Sequence, residues 1–429
     1  MQVAAEVEHV ATLDPESPQS LTVSGFSWKR VLSFISGLGM IVFSVLTIRH
    51  FFQANYPTSI YEGSFCDINS FFNCNSSAYS MIAAIAGVPL GYFGLFTGAL
   101  VSMGALFPSA EFERTNKSIA LLNVIGVVSL LLFSVFYLKS LCVLCSGYYL
   151  FSIMSFVLFW RYGIDGREAS FISRYVRPSP KYLATFAVLM VAGAYGLRLY
   201  HDATKQAQSG GVASEIVQQY FNLPTVKTPS VVSPYWLVKS TEKFEDAPIQ
   251  VIEYADFLCP DCKYLNEQLE RLSQEFKGKI NIAFQFFPLE KGCNTVVDKD
   301  KHPGACELAL MAAHDPRKFQ AMHHEIFINF ESAKKPEWRR ELSRRYGVEG
   351  ALTDENTRAR VLQIINTGAE YEKTSDKYAH GIRSTPTMII NNRMIIGTFP
   401  YEQLRAIFQA LEQKNGKRTD QKFMENWQE

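Results

Sequence analysis

Hydrophobic residues are unevenly distributed along this chain of 429 residues. Residues 31–160 are strongly apolar, whereas residues 230–429 carry most of the charge. A helix needs about 20 apolar residues to cross a bilayer, and five stretches reach or approach that length. They are 31–48, 81–107, 118–138, 140–160 and 182–197. The pattern predicts a membrane part followed by a soluble part.

Two places interrupt this pattern. Gly87, Pro89 and Gly91 lie early in the second apolar stretch, and proline cannot continue a regular helix, so we expect a bend there. Residues 201–230 contain Gln-Ser-Gly-Gly near their start and scattered prolines later, which predicts a linker.

The soluble part has the hydrophobic periodicity of a mixed α/β domain. A buried strand is expected at 249–254, a helix at 259–272 and a second strand at 280–287. Residues 303–376 have a mostly helical pattern, and residues 387–396 predict two strands around the turn Asn391-Asn392. An amphipathic helix over 401–413 closes the chain. This order is that of a thioredoxin-like sheet with a helical insert.

Lysine and arginine placement predicts the orientation of the membrane part. One side carries Lys29, Arg30, Arg114, Lys117, Arg161, Arg167, Arg174, Arg177 and Lys181, whereas the loops of the other side carry only Arg49 and Lys139. The positive-inside rule makes the first side cytoplasmic. Every cysteine then lies on or near the opposite side, and so does everything after residue 200.

The fold class expected is therefore multi-domain: an α-helical membrane bundle, with a four-helix core and a fifth linking helix, followed by an α/β thioredoxin-like domain. The formal net charge is +1, and no charge run suggests a nucleic-acid partner. The expected parts are a flexible cytoplasmic tail at 1–28 without a cleavable signal peptide, a membrane domain at 29–162, a cytoplasmic loop and fifth transmembrane helix at 163–200, a linker at 201–230 and the thioredoxin-like domain at 231–429.

Eight cysteines form four sequence-local pairs. The pairs are Cys66/Cys74, Cys142/Cys145, Cys259/Cys262 and Cys293/Cys306. Paired cysteines indicate an oxidising compartment or a redox role. Zinc is the competing interpretation of two Cys-x-x-Cys pairs, but one pair lies in an apolar run and neither has a ligand-spaced histidine. We expect no metal.

The Cys259/Cys262 pair lies between a predicted strand and a predicted helix. A helix N-terminus favours the thiolate of Cys259, and Cys262 is then the resolving thiol. Glu253, on the preceding strand, is a candidate relay for the Cys262 proton; it could also be an ordinary strand acid. Pro386, if cis, would present the backbone of Thr385 to a substrate strand; the alternative is a trans turn proline.

The remaining pairs differ in setting. Cys293 and Cys306 flank a polar loop and are expected to form a structural disulfide. Cys142 and Cys145 share one helix face at the membrane edge, where they could form a redox disulfide or pack as small buried thiols.

Two family resemblances rest on these motifs. Residues 232–415, with Cys-Pro-x-Cys, Thr-Pro and the helical insert, resemble the bacterial DsbA-like oxidoreductases. Residues 28–162 resemble vitamin K epoxide reductase and its bacterial homologues. That resemblance rests on Cys66-Asp67-Ile68-Asn69, Cys74, Ser80, the run Gly87-Val88-Pro89-Leu90-Gly91 and Cys142-x-x-Cys145.

The second resemblance implies residue roles. Cys145 would lie beside a quinone ring with Cys142 as its disulfide partner, and Ser80 matches a serine of the family's active site. Tyr149 matches a quinone-associated tyrosine; one turn after Cys145, its hydroxyl could donate to a quinone carbonyl, although it could also be a tyrosine of the interfacial belt. Cys66 and Cys74 would form a loop shuttle pair, with Cys74 pairing with Cys259 and Cys66 with Cys142.

The expected function is quinone-dependent oxidation of dithiols to disulfides outside the cytoplasm. Electrons would pass from substrate to the soluble dithiol, then to the loop cysteines, the membrane dithiol and a ubiquinone or menaquinone. The expected partners are reduced secreted or periplasmic proteins, the quinone and the lipid bilayer of a bacterial inner membrane. The alternatives are a transmembrane reductant running in the opposite direction and a disulfide-stapled membrane binding module.

Overall fold

The structure is a computed structural model, which describes residues 28–57, 60, 71–107, 109–162, 178–208, 211–227, 234–374, 376 and 379–413. The predicted tail at 1–28 lies outside these residues apart from Trp28. Cys66 also lies outside them.

The described part of the N-terminal half is helical. Its helices are α1 (Trp28–Asn55), α2 (Cys74–Ala78), α3 (Gly91–Leu106), α4 (Ala110–Leu132), α5 (Val143–Val157) and α6 (Pro180–Gln208). Four of the described helices are long and apolar enough to cross a membrane, and α3 is a shorter apolar helix. The protein is therefore membrane-anchored, with a bundle and a linking helix α6 as the sequence predicts.

The predicted bend in the second apolar stretch is confirmed. Two short strands, β1 (Ala84–Ile85) and β2 (Val88–Pro89), pair as a hairpin before α3 begins at Gly91. Ala86 and Gly87 at the turn have φ values of 50° and 81°, a region that glycine adopts at little cost. The hairpin shortens the helix that the apolar run alone would predict.

Small residues and polar contacts join the membrane helices. A Cβ on Gly98 of α3 would lie 2.8 Å from the carbonyl oxygen of Gly37 in α1, so the two backbones approach closely, as small residues allow in membrane helix pairs. Asn123 of α4 bridges to α5: its Oδ1 accepts from the Tyr148 hydroxyl over 2.7 Å, and its Nδ2 donates to Ser152.

The soluble domain is built on a five-stranded sheet. Its strands are β3 (Trp236–Val238), β4 (Ile249–Ala255), β5 (Ile280–Phe286), β6 (Thr387–Ile390) and β7 (Arg393–Ile396), arranged in the order β3-β5-β4-β6-β7. β4 and β5 are parallel, and the other neighbours are antiparallel. Asn391 and Asn392 form the predicted turn between β6 and β7, both with positive φ.

Helices cover both faces of this sheet. α8 (Pro260–Glu275) and α14 (Tyr401–Gln413) pack on one face. The insert between β5 and β6 packs on the other and comprises α9 (Ala305–His314), α10 (Phe319–Ile328), α11 (Phe330–Ala333), α12 (Pro336–Tyr346) and α13 (Glu355–Glu370). The thioredoxin-like order with a helical insert is confirmed.

The region predicted as a linker differs from that expectation. α6 continues to Gln208, and α7 (Gly211–Asn222) is a further helix. Ile216 and Tyr220 of α7 are fully buried beside α14, and the Tyr220 hydroxyl donates to the Ile390 carbonyl over 2.8 Å. Because α7 supplies part of the hydrophobic core, it belongs to the soluble domain despite the adjacent glycines.

Candidate active site

Backbone pairing brings two distant segments of the membrane domain together. Phe72 and Leu141 form an isolated parallel bridge, and the Asn73 amide donates to the Leu141 carbonyl over 3.2 Å. Ser140 also donates through its hydroxyl to the Asn73 carbonyl. As a result Cys74 and Cys142, which follow this bridge, lie side by side with their Sγ atoms 3.5 Å apart.

Cys142 is the N-cap residue of α5. Its Sγ accepts from the Cys145 amide over 3.2 Å, and an N–H at a helix N-terminus stabilises negative charge on sulfur. Cys142 is buried, and Cys145 is only partly exposed. Cys142 and Cys145 are thiols here, whereas Cys74 is disulfide-bonded. A sulfur that can carry charge thus lies in contact with a disulfide sulfur, as thiol–disulfide exchange requires.

This contact differs from the pairing that the resemblance implied. Cys74 was expected to face Cys259, and Cys66 to face Cys142. The structure places Cys74 against Cys142 instead, because the register of the Phe72–Leu141 bridge brings the second loop cysteine to the start of α5.

Two further residues expected in the membrane site lie in different surroundings. Tyr149 is 9% exposed, is hydrogen-bonded with Ser134 and is close enough to Cys145 to interact with it electrostatically. Ser80 donates to the Ser77 carbonyl over 2.8 Å and lines the cleft between the domains.

The soluble dithiol lies where β4 ends and α8 begins. Cys259 is the N-cap residue of α8, with Pro260 in the first turn. The Cys259 thiol contacts the Thr385 carbonyl over 3.5 Å, and the Thr385–Pro386 peptide bond is cis. Cys262 accepts from the Asp256 amide over 3.4 Å. The structure therefore brings the cysteines and the cis-proline loop together, as predicted.

Glu253 lies inside the sheet beneath this dithiol. It is 0% exposed, and neither carboxylate oxygen has a hydrogen-bond partner among the described residues. Burial raises the pKa of Glu253 to about 8, so the side chain is mostly protonated at neutral pH. Burial also raises the pKa of Cys262, with Cys259 and Glu253 as further contributors. The Glu253 carboxyl group and the Cys262 thiol therefore interact in a buried site that excludes solvent.

Asp256 and His302 form a buried pair that sequence reasoning missed. Their side chains are fully buried, with His302 Nδ1 2.8 Å from Asp256 Oδ2. Asp256 also accepts from the backbone amides of Leu258 and Leu289, each over 2.6 Å, so it fixes the turn that leads into Cys259. No periodic pattern pairs these residues, because they meet only through the loop that contains His302.

Cys293 and Cys306 form the predicted disulfide, with Cα atoms 5.6 Å apart. It closes the loop that contains His302. Within the described residues, no three His, Cys, Asp or Glu side chains converge as metal ligands.

The two domains meet at the redox centres. The Asn75 amide of α2 donates to Asp261 of α8 over 2.8 Å, and the rings of Tyr79 and Tyr264 stack at 3.9 Å. A cleft of about 530 Å³ opens beside these contacts. Elsewhere Gln403 donates to the Pro57 carbonyl. The sequence gives no signal for Asp261 as a contact residue, because contacts between domains leave no periodicity in a sequence.

A helical membrane domain and a thioredoxin-like domain, each with a Cys-x-x-Cys pair at a helix start, define a membrane-anchored thiol–disulfide oxidoreductase. Comparisons with known proteins agree. Residues 30–160 match the family model of the vitamin K epoxide reductase family, and residues 244–410 match a thioredoxin family model. The chain is therefore similar to the first family over its membrane part and to the second over its soluble part.

Individual relatives cover parts of the chain. Disulfide bond formation protein D of Bacillus subtilis is 25% identical over 174 residues, covering 38% of this chain and 71% of that protein. The Na(+)/H(+) antiporter NhaA 1 of Mycolicibacterium gilvum is 25% identical over 177 residues, 40% of this chain but only 26% of the antiporter. The solved structure of oxidised BdbD from Bacillus subtilis is 20% identical with a TM-score of 0.30, covering 44% of this chain and 98% of that one.

Proposed function

We propose that the protein generates disulfide bonds in extracytoplasmic proteins and passes the electrons to a membrane quinone. The 3.5 Å contact between Cys74 and Cys142 carries this proposal. It joins a loop that contacts the soluble domain to a thiol pair at the start of a membrane-spanning helix, so it provides a path between the two domains.

The first exchange involves the soluble dithiol. A substrate thiolate attacks the Cys259 sulfur of an oxidised Cys259–Cys262 pair, and a second substrate thiol then releases Cys259 as its own disulfide forms. Two electrons pass to the soluble pair, which becomes two thiols. Glu253 in its ionised form accepts the Cys262 proton when that thiol must become a nucleophile, and a pKa of about 8 allows the carboxyl group both to lose and to regain a proton near neutral pH.

The second exchange involves the loop pair. The Cys259 thiolate attacks the loop disulfide, Cys262 resolves the mixed disulfide, and Cys66 and Cys74 become thiols. The Cys74 thiolate then attacks Cys142 of an oxidised membrane pair. Cys66 resolves that mixed disulfide and leaves two membrane thiols. In this revised pairing Cys74 reacts with Cys142. Cys66 is therefore the loop cysteine that reacts with Cys259.

The membrane thiols suit a quinone site. Cys145 is partly exposed beside the apolar Phe43 and Leu144, and Tyr149 lies one turn further along the same helix face. These residues would hold the quinone, with Tyr149 orienting it through its hydroxyl. A quinone, when bound, accepts two electrons and two protons. Ser80 lines the cleft between the domains, so we assign it a position beside the loop cysteines and no contact with the quinone.

The location follows from the charge bias. We place the soluble domain on the periplasmic side of a bacterial inner membrane, where reduced secreted or periplasmic proteins would be its substrates. The lysine and arginine excess on the opposite side supports this orientation.

Anaerobic mixing of the reduced protein with ubiquinone and menaquinone analogues tests the function. We expect quinone absorbance to fall with the wild type, but not with Cys142→Ala or Cys145→Ala. Cys293→Ala, which opens only the structural disulfide, is the matched control and should retain most turnover. Full activity in Cys145→Ala would overturn the quinone assignment.

A further inference from the structure

A buried hydrogen bond joins the two redox centres. Asn75 and Asp261 are 6% and 7% exposed, and the Asn75 Nδ2 donates to Asp261 Oδ2 over 2.8 Å. Asn75 directly follows Cys74, and Asp261 lies between Cys259 and Cys262. The contact therefore links the loop to the soluble dithiol through the residues next to the reacting sulfurs.

We propose that Asn75 and Asp261 are the recognition pair through which the loop docks on the soluble dithiol, and that docking excludes protein substrates from that dithiol. This inference rests on the proposed function. It assigns a positioning role to two residues whose side chains take no part in the chemistry.

The charge on Asp261 makes this pair selective. A carboxylate in a nearly dry interface is costly unless a donor satisfies it, and Asn75 supplies that donor. His50 of α1 contacts both the Asn75 side chain and the Cys74 backbone. Helix α1 therefore fixes the position of the Asn75 side-chain amide. A carboxylate in place of Asn75 would face Asp261 as a like charge.

A second contact on the same helix face supports the docked geometry. Tyr264 lies three residues after Asp261 in α8, and residues three apart share a helix face. Its ring is nearly parallel to that of Tyr79, with an interplanar angle of 4° and centroids 3.9 Å apart. The aromatic pair adds apolar contact area, whereas the hydrogen bond fixes which side chains must meet.

Docking and substrate binding compete for one surface. Cys259 is 1% exposed and Cys262 is 0% exposed in the docked arrangement, and the Cys259 thiol faces the Thr385 carbonyl. A protein substrate would have to reach Cys259 at the start of α8, where Asn75 of α2 already occupies the Asp261 side chain two residues further along. The soluble domain must therefore leave α2 to meet a substrate and return to it to pass on electrons.

A charge swap in the full-length reduced protein tests this pair. Asn75→Asp should place two carboxylates together and speed alkylation of Cys259 by iodoacetamide about 10-fold or more, as expected for losing a buried hydrogen bond to a charged group. It should also slow quinone-coupled turnover. Asp261→Asn combined with Asn75→Asp restores one carboxylate and one amide, so both rates should return toward wild type.

Two controls separate the possible failures. Ser76→Asp adds the same charge to α2. Because Ser76 lines the open cleft, this variant should leave the rate of Cys259 alkylation unchanged. The Cys259–Cys262 equilibrium with glutathione shows whether Asp261→Asn alters the dithiol itself. Unchanged alkylation in Asn75→Asp, or no recovery in the double variant, would overturn the recognition pair. Absence of quinone reduction by the wild type, with the alkylation pattern as expected, would overturn the proposed function instead.

Discussion

Replacing Glu253 with glutamine should make the soluble domain more stable and less active. The carboxyl group is fully buried without a hydrogen-bond partner among the described residues, and its pKa is raised from 4.5 to about 8. Between these values the unfolded chain has lost a proton that the folded chain retains, so stability falls as pH rises, by about 1.4 kcal/mol per pH unit. The loss should reach about 3 kcal/mol at pH 7 and level off above pH 8.

The Glu253→Gln variant removes this loss, because glutamine does not ionise. Pulse proteolysis of the full-length protein in denaturant should show the variant gaining stability relative to wild type from about pH 4.5 to about pH 8. The difference between the two proteins isolates Glu253. His323, whose pKa burial lowers to about 3, adds a slope of opposite sign below pH 6.5 in both.

The same substitution should slow the step in which Cys262 resolves a mixed disulfide, by about 10²-fold, because the proton acceptor is gone. Acid quenching and peptide mapping would measure the lifetime of the mixed disulfide on Cys259. Glu270→Gln, at an exposed position of α8, is the matched control for both assays. Wild-type resolution in Glu253→Gln would refute the relay, and a wild-type dependence of stability on pH would refute the raised pKa.

Three other predictions concern the membrane domain. Cys66→Ala combined with Cys145→Ala removes both resolving thiols, so oxidation of the variant with diamide should produce a Cys74–Cys142 disulfide that persists and appears in non-reducing peptide maps; a bond from Cys74 to Cys259 would instead support the original pairing. Tyr149→Phe should weaken quinone binding by roughly 0.5–1.5 kcal/mol while thiol exchange is little changed, and an unchanged quinone KM would remove Tyr149 from the site. A reporter fused after position 166 should be cytoplasmic and one fused after position 205 external; the reverse result would revive the reductive direction.

The soluble fold could be predicted because local signals agree with it. Hydrophobic periodicity placed β4, α8 and β5, and Asn391-Asn392 predicted the turn between the last two strands, where both residues have positive φ. The position of Cys259 at a helix start followed directly from these elements.

What the sequence could not show are the meetings between distant segments. The Phe72–Leu141 bridge decides which loop cysteine faces Cys142, and a single bridge has no sequence signature. The segment of α7 was predicted as a linker because Gly210 and Gly211 lie at its start, although Tyr220 packs into the core. In each case tertiary contacts, which depend on the whole fold, outweighed the local pattern.

The covered position of the soluble dithiol has a consequence for oxidative damage. Peroxides convert exposed thiolates to sulfenic acid and then irreversibly to sulfinic and sulfonic acids. With Cys259 and Cys262 almost wholly covered and packed in the core of the soluble domain, a peroxide molecule cannot reach either sulfur in this arrangement. Irreversible loss of the dithiol is then confined to the time in which a movement of the domain, such as the one that admits a substrate, uncovers one of these sulfurs.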